Sequence, residues 1–137
     1  MWWIYALLSA FFAALTAIFA KIGIKGVDTD LATAIRTVVI LVIAWAIAFF
    51  RGGAATIGSL SRQNLLFLCL SGIATGLSWI FYFKALQIGK VSQVAPVDKL
   101  SVALAILLSV IFLGEALTWK NAIGALMIIG GTLVLIL

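Results

Sequence analysis

The chain has no histidine, one cysteine, one proline and four carboxylates, and only 9% of its residues are charged. Without histidine there is no imidazole to hold a metal or shuttle a proton near neutral pH. The lone cysteine, Cys69, cannot close an intrachain disulfide and says nothing about redox compartment. The acids are Asp28, Asp30, Asp98 and Glu115, and no Ser or Cys nucleophile stands next to a carboxylate in the sequence. That scarcity argues against an enzyme, and neither a metal nor a cofactor is expected. An ordinary soluble domain carries about 25% charged residues, so the low charge argues against a soluble fold as well.

What fills the chain is apolar: 66% of its 137 residues are hydrophobic. A spanning helix needs about 20 predominantly apolar residues at about 1.5 Å per residue to cross roughly 30 Å of hydrocarbon. Five such segments use up the chain, at about residues 2–24, 31–50, 64–86, 91–113 and 118–137. The fold class read from the sequence is therefore an all-α membrane protein, a single transmembrane domain over residues 1–137. Trp2, Trp3 and Tyr5 stand where an interfacial aromatic belt places them. The stretch from Trp2 to Ala20 lacks a basic leader and a small-residue cleavage site, and reads as a retained helix and not a signal peptide. The segment from Arg51 to Gln63, rich in Gly, Ser and Thr, reads as the one loop of any length.

The net charge of +5 comes from basic residues near helix ends, where they orient the chain and meet lipid headgroups. No basic cluster with interleaved aromatics suggests nucleic acid. Five spans put the termini on opposite sides of the membrane. Arg51, Arg62 and Lys120 flank the N-terminal side, against Lys21, Lys25, Lys84 and Lys90 on the other. Three against four gives the positive-inside rule almost nothing to act on, whereas adding the embedded Arg36 and Lys99 favours a cytoplasmic C-terminus. Dual insertion and a modest N-out bias both fit.

Ionisable groups inside spans cost about 2.5–3.5 kcal/mol on insertion scales, so each is a candidate for function. They are Arg36, about 8 Å into its helix, Lys84, and the neighbours Asp98 and Lys99, the latter roughly 12 Å deep. One reading is a positively charged vestibule for anionic or zwitterionic solutes. The other is that Arg36 and Lys84 snorkel to the headgroups while Asp98 neutralises Lys99 or Arg36. Pro96, one turn before Lys99, either breaks the helix and frees carbonyls or simply starts it. Trp79, Phe81, Tyr82 and Phe83 read as lipid-facing or core aromatics before a binding box, and Trp79 and Tyr82, three apart on one helix face, are the candidate pair. Ser9, Ala13, Thr16, Ala17 and Ala20 form a small-residue stripe, and Gly72 and Gly76 a small-xxx-small pair, both suited to close helix packing, with lining a pathway as the alternative.

From the third span onward the chain reads Trp79-Ile-Phe-Tyr-Phe-Lys-Ala-Leu-Gln-Ile-Gly89, then Val94-Ala-Pro96-Val-Asp-Lys99. It continues as Leu108-Ser-Val-Ile-Phe-Leu-Gly-Glu115, Thr118-Trp119 and Gly124-Ala-Leu-Met-Ile-Ile-Gly-Gly131. This pattern resembles the repeat unit of the EamA family in the drug/metabolite transporter superfamily. The proline-started helix, the Gly114-Glu115 ending and the glycine-spaced last helix carry the likeness. Most members look like ten-helix proteins built from two inverted five-helix repeats, and this chain holds one repeat. Transporters of that design bind substrate between repeats. The resemblance therefore implies a homodimer in the inner (cytoplasmic) membrane carrying small polar or amphipathic metabolites. An antiparallel arrangement reproduces the family's inverted pairing, and a parallel one stays open. Glu115, at a helix end, reads as a turn-stabilising group. The superfamily's four-helix multidrug exporters rely on a glutamate in the first helix, but here that helix has no acid. A non-transporting subunit, or half of a heteromeric carrier or lipid flippase, is the rival reading.

Overall fold

The computed structural model describes residues 1–137 and is all-helical. Its helices are α1 (Trp2–Gly23), α2 (Thr29–Phe50), α3 (Arg62–Ile88), α4 (Val91–Asp98), α5 (Leu100–Leu113) and α6 (Trp119–Ile136). A 3-10 helix, Gly53–Ser59, lies between α2 and α3. Counting α4 and α5 as one interrupted segment, five are long and apolar enough to cross a membrane.

Local chemistry sets the boundaries. Gly26, at φ 71°, turns the chain after α1, a left-handed conformation that glycine adopts without steric cost. Asp28 then caps α2, its carboxylate accepting from the Asp30 and Leu31 amides at 3.0 and 2.9 Å. Ser61 accepts from the Asn64 amide at 3.1 Å at the start of α3, and Thr118 from the Asn121 amide at 3.2 Å at the start of α6. Gly114, at φ 67°, ends α5, and the Glu115 amide donates back to the Ser109 carbonyl at 3.3 Å.

Packing divides the chain into two units, residues 20–87 and residues 1–19 with 88–137. In the first, Thr29, Thr33 and Arg36 repeat at the four- and three-residue intervals of one α2 face. Trp79, Phe83 and Leu86 do the same on α3. Thr29, Thr33, Phe83 and Leu86 are buried. The buried Thr33 hydroxyl donates to the Thr29 carbonyl at 2.8 Å, so the small polar side chains cost no unsatisfied group. The Lys21 ammonium donates to the Leu86 carbonyl, and the Gln87 amide to the Val27 carbonyl at 3.0 Å. The first serves the C-terminal end of α3, where helix carbonyls lack intrahelical partners and a cation is favoured, and the second ties the same end to the turn between α1 and α2. On the remote part of α2, Leu41, Ala44, Trp45 and Ala48 line an apolar cavity of about 300 Å³ with Gly53, Ala54 and Ile57 of the 3-10 helix.

In the second unit α6 packs against both α4 and α5. Leu100, Ala103, Ile106 and Ser109 recur along one half-buried face of α5, while Ala125 and Ile128 lead to the buried Thr132 on α6. The helix begun at Val91 is interrupted at Lys99, three residues after Pro96. There the Lys99 amide bonds the Ala95 and Pro96 carbonyls at 3.3 and 3.1 Å, and the Val102 amide reaches the Lys99 carbonyl at 3.0 Å. The bonds to the Pro96 and Lys99 carbonyls span three residues and tighten the turn. The Thr132 hydroxyl donates to the Pro96 carbonyl at 3.2 Å, pinning α6 to the interruption. Thr132→Val, which keeps the shape and removes the donor, should cost about 0.5–1.5 kcal/mol in reversible unfolding in detergent. An unchanged stability would show that the bond is incidental.

A methyl group added at Gly72 or Gly76 would meet nothing within 4 Å, so this pair does not serve close packing inside the chain. The same space is open at Gly124, Gly130 and Gly131 of α6.

Candidate functional site

Two sets of polar groups stand inside the spans, one in each unit. In the first, the paired stripes of α2 and α3 bring Arg36 opposite Trp79. Its guanidinium carbon lies 4.4 Å from the Trp79 ring centroid and 5.0 Å from that of Phe83. Arg36 is half-buried and stacked on aromatic faces, a cation–π arrangement worth about 0.5–2 kcal/mol. Trp79 and Phe83 are one turn apart, which is why both rings meet the same cation. Tyr82, half-buried, neighbours Phe83 at a centroid distance of 6.1 Å.

Lys84 turns to Asp30 of the first turn of α2, 3.8 Å from nitrogen to oxygen. Both side chains are more than half exposed, at 55% and 60%, so the pair contributes at most about 1 kcal/mol. Asp28 is spent on the α2 cap. The carboxylates on this stretch are thus committed to Lys84 and to backbone amides, and neither salt bridge in the chain includes Arg36.

In the second unit Asp98 and Lys99 pair with each other at 3.2 Å where the helix is interrupted. The Lys99 side chain is 58% exposed and that of Asp98 34% within one copy of the chain. Pro96 lies one turn away, its carbonyl shared between the Lys99 amide and the Thr132 hydroxyl. Gly114 and Glu115 sit at the end of α5, where Gly114 supplies the left-handed turn and Glu115 is exposed.

Phe83 is the member of the first set that sequence reasoning passed over. Its signal was the four-residue spacing from Trp79, masked by the neighbouring Tyr82 three residues from the same tryptophan. Asp30 falls just outside the second span read from the sequence, at 31–50, and its partner Lys84 is remote in sequence.

The whole chain, residues 1–137, matches the EamA-like transporter family. A protein of Sinorhizobium sp described as an "uncharacterized transporter in cobO 3′ region" is 48% identical over 134 residues, covering 98% of this chain and 95% of the relative. No solved structure matches. Five membrane-spanning helices, one family repeat along their full length and a near-coextensive transporter relative lead to one conclusion: the chain belongs to the EamA-like transporter family and is a multi-pass membrane transporter, not an enzyme.

Proposed function

We propose that the protein is a secondary carrier of small polar or amphipathic metabolites that works as a homodimer in the cytoplasmic membrane. The observation that carries this reading is the single family repeat spanning residues 1–137, shared with a relative that is itself 95% covered by the match. A carrier that rocks one repeat against another needs two, and a second copy supplies the missing one. The open space beside Gly72 and Gly76 supports the same reading, since small residues without a neighbour in the chain let another helix approach closely. Helical spans suit the cytoplasmic membrane, because outer membranes of bacteria use barrels.

Substrate contacts are assigned to Arg36, Trp79, Tyr82 and Lys84 in one unit and to Asp98 and Lys99 beside Pro96 in the other. The reading is tested by reconstituting the purified protein in liposomes and following uptake of a solute panel under proton and sodium gradients. Gradient-driven accumulation is the expected result. A folded protein that moves no solute but scrambles headgroup-labelled lipid would instead make it a flippase or half of a heteromeric machine.

A further inference from the structure

Arg36 stands over two aromatic rings and pairs with no carboxylate. The Trp79 and Phe83 ring centroids lie 4.4 and 5.0 Å from its guanidinium carbon, with the Tyr82 side chain also within electrostatic reach. Its five N–H donors form a planar fork that calls for oxygen acceptors. Both salt bridges in the chain belong to other cations. The acids nearest on α2 are occupied, Asp28 by the Asp30 and Leu31 amides and Asp30 by Lys84. A positive charge two turns inside a span, held still and lacking a carboxylate, is costly unless an anion completes it. The planar fork matches a carboxylate with two parallel hydrogen bonds.

We propose that Arg36, stacked on Trp79 and Phe83, is the carboxylate-recognition element of the transport site, so that the substrates are amphipathic monocarboxylates. The carboxylate takes the in-plane fork, and the apolar part of the solute lies along the aromatic edge that Trp79 and Phe83 share. A monoanion fits better than a doubly charged phosphate, because the neighbouring Lys84 is already opposed by Asp30 at 3.8 Å. Recognition of this kind rests on the transporter reading but is measured separately from it.

The test uses the full chain in phosphatidylcholine nanodiscs, with phenylacetate, its amide and phenethylammonium as probes. Tryptophan fluorescence reports binding, and proteoliposome uptake of each labelled probe reports transport. Phenylacetate should bind at least about tenfold more tightly than the neutral amide or the cation. Arg36→Lys keeps the charge but not the fork, and should weaken phenylacetate by about 10- to 100-fold with little change for phenethylammonium. Trp79→Leu, which keeps Arg36 and removes one stacking face, should weaken phenylacetate by a smaller factor. Equal affinity for acid and amide, or an Arg36→Lys protein of unchanged thermal stability and unchanged phenylacetate affinity, overturns the proposal. So does a loss of retained phospholipid in Arg36→Lys with phenylacetate affinity intact, which would make the anion a lipid phosphodiester. A protein that carries phenethylammonium and ignores phenylacetate refutes the carboxylate site while the transporter reading stands. One that binds phenylacetate through Arg36 yet transports none of the probes leaves the site in place and removes the transporter reading.

Discussion

Lysines placed at Ala55 and Gly58 should fix the N-terminus in the cytoplasm and reduce transport to background. Both positions are exposed on the 3-10 helix, and a side chain at Gly58 would meet nothing within 4 Å, so neither change disturbs packing. The segment already carries Arg51 and Arg62 at its ends and no acid, and two further cations give this side a clear excess over the opposite one. The positive-inside rule then retains it in the cytoplasm in every copy. In the wild type the near balance of flanking charges should place reporters fused at Leu137 on both sides. If an antiparallel dimer carries the activity, forcing one orientation removes the partner and leaves folded protein without transport. A wild-type reporter found on one side alone would rule out dual insertion, and full transport by the lysine variant would rule out the antiparallel arrangement.

Lys99→Met should abolish transport while leaving the fold intact. Depth along the helix suggests a sealed pair, for which removing one partner costs about 3–5 kcal/mol. Within one copy of the chain Lys99 is 58% exposed and Asp98 34%, so at that depth lipid, a lined cavity or a second copy meets the pair. Asp98→Asn, which strips the ammonium of its closest counter-charge, should therefore destabilise the protein in detergent by about 3–5 kcal/mol, while Lys99→Met should be tolerated. Their importance lies in position. They occupy the interruption that Pro96 introduces and Thr132 pins, where unpaired backbone is tolerated next to protein or a water-filled cavity. On the proposed assignment, a substrate at this point would meet an ammonium held 3.2 Å from its counter-charge. The double variant should fold better than Asp98→Asn alone and should not transport. Wild-type uptake by Lys99→Met would make the pair a structural feature and remove it from the site.

The five spans were legible because hydrocarbon thickness dictates their length, and charge-free runs such as the one between Arg62 and Lys84 leave no other reading. The family likeness was legible in the second half of the chain through Pro96, Gly114 and Glu115, and the match extends to the whole chain. The 3-10 helix at Gly53–Ser59 was hidden because its glycines and alanines carry no apolar periodicity; it is held by short bonds such as Thr56 to the Gly53 carbonyl at 2.7 Å. Pro96 signalled a disturbance without locating it. The interruption falls at Lys99, where the Pro96 carbonyl meets Thr132, far away in sequence. The Arg36 stack depended on the register of α2 against α3, which hydropathy does not encode.

The central claim, that two single repeats make one carrier, is tested most directly by the mass of the transport-competent particle. Native mass spectrometry from nanodiscs of a preparation active in liposomes should give twice the 14.6 kDa protomer mass after subtraction of lipid. A particle at the mass of one protomer, from a preparation with full transport, would contradict it.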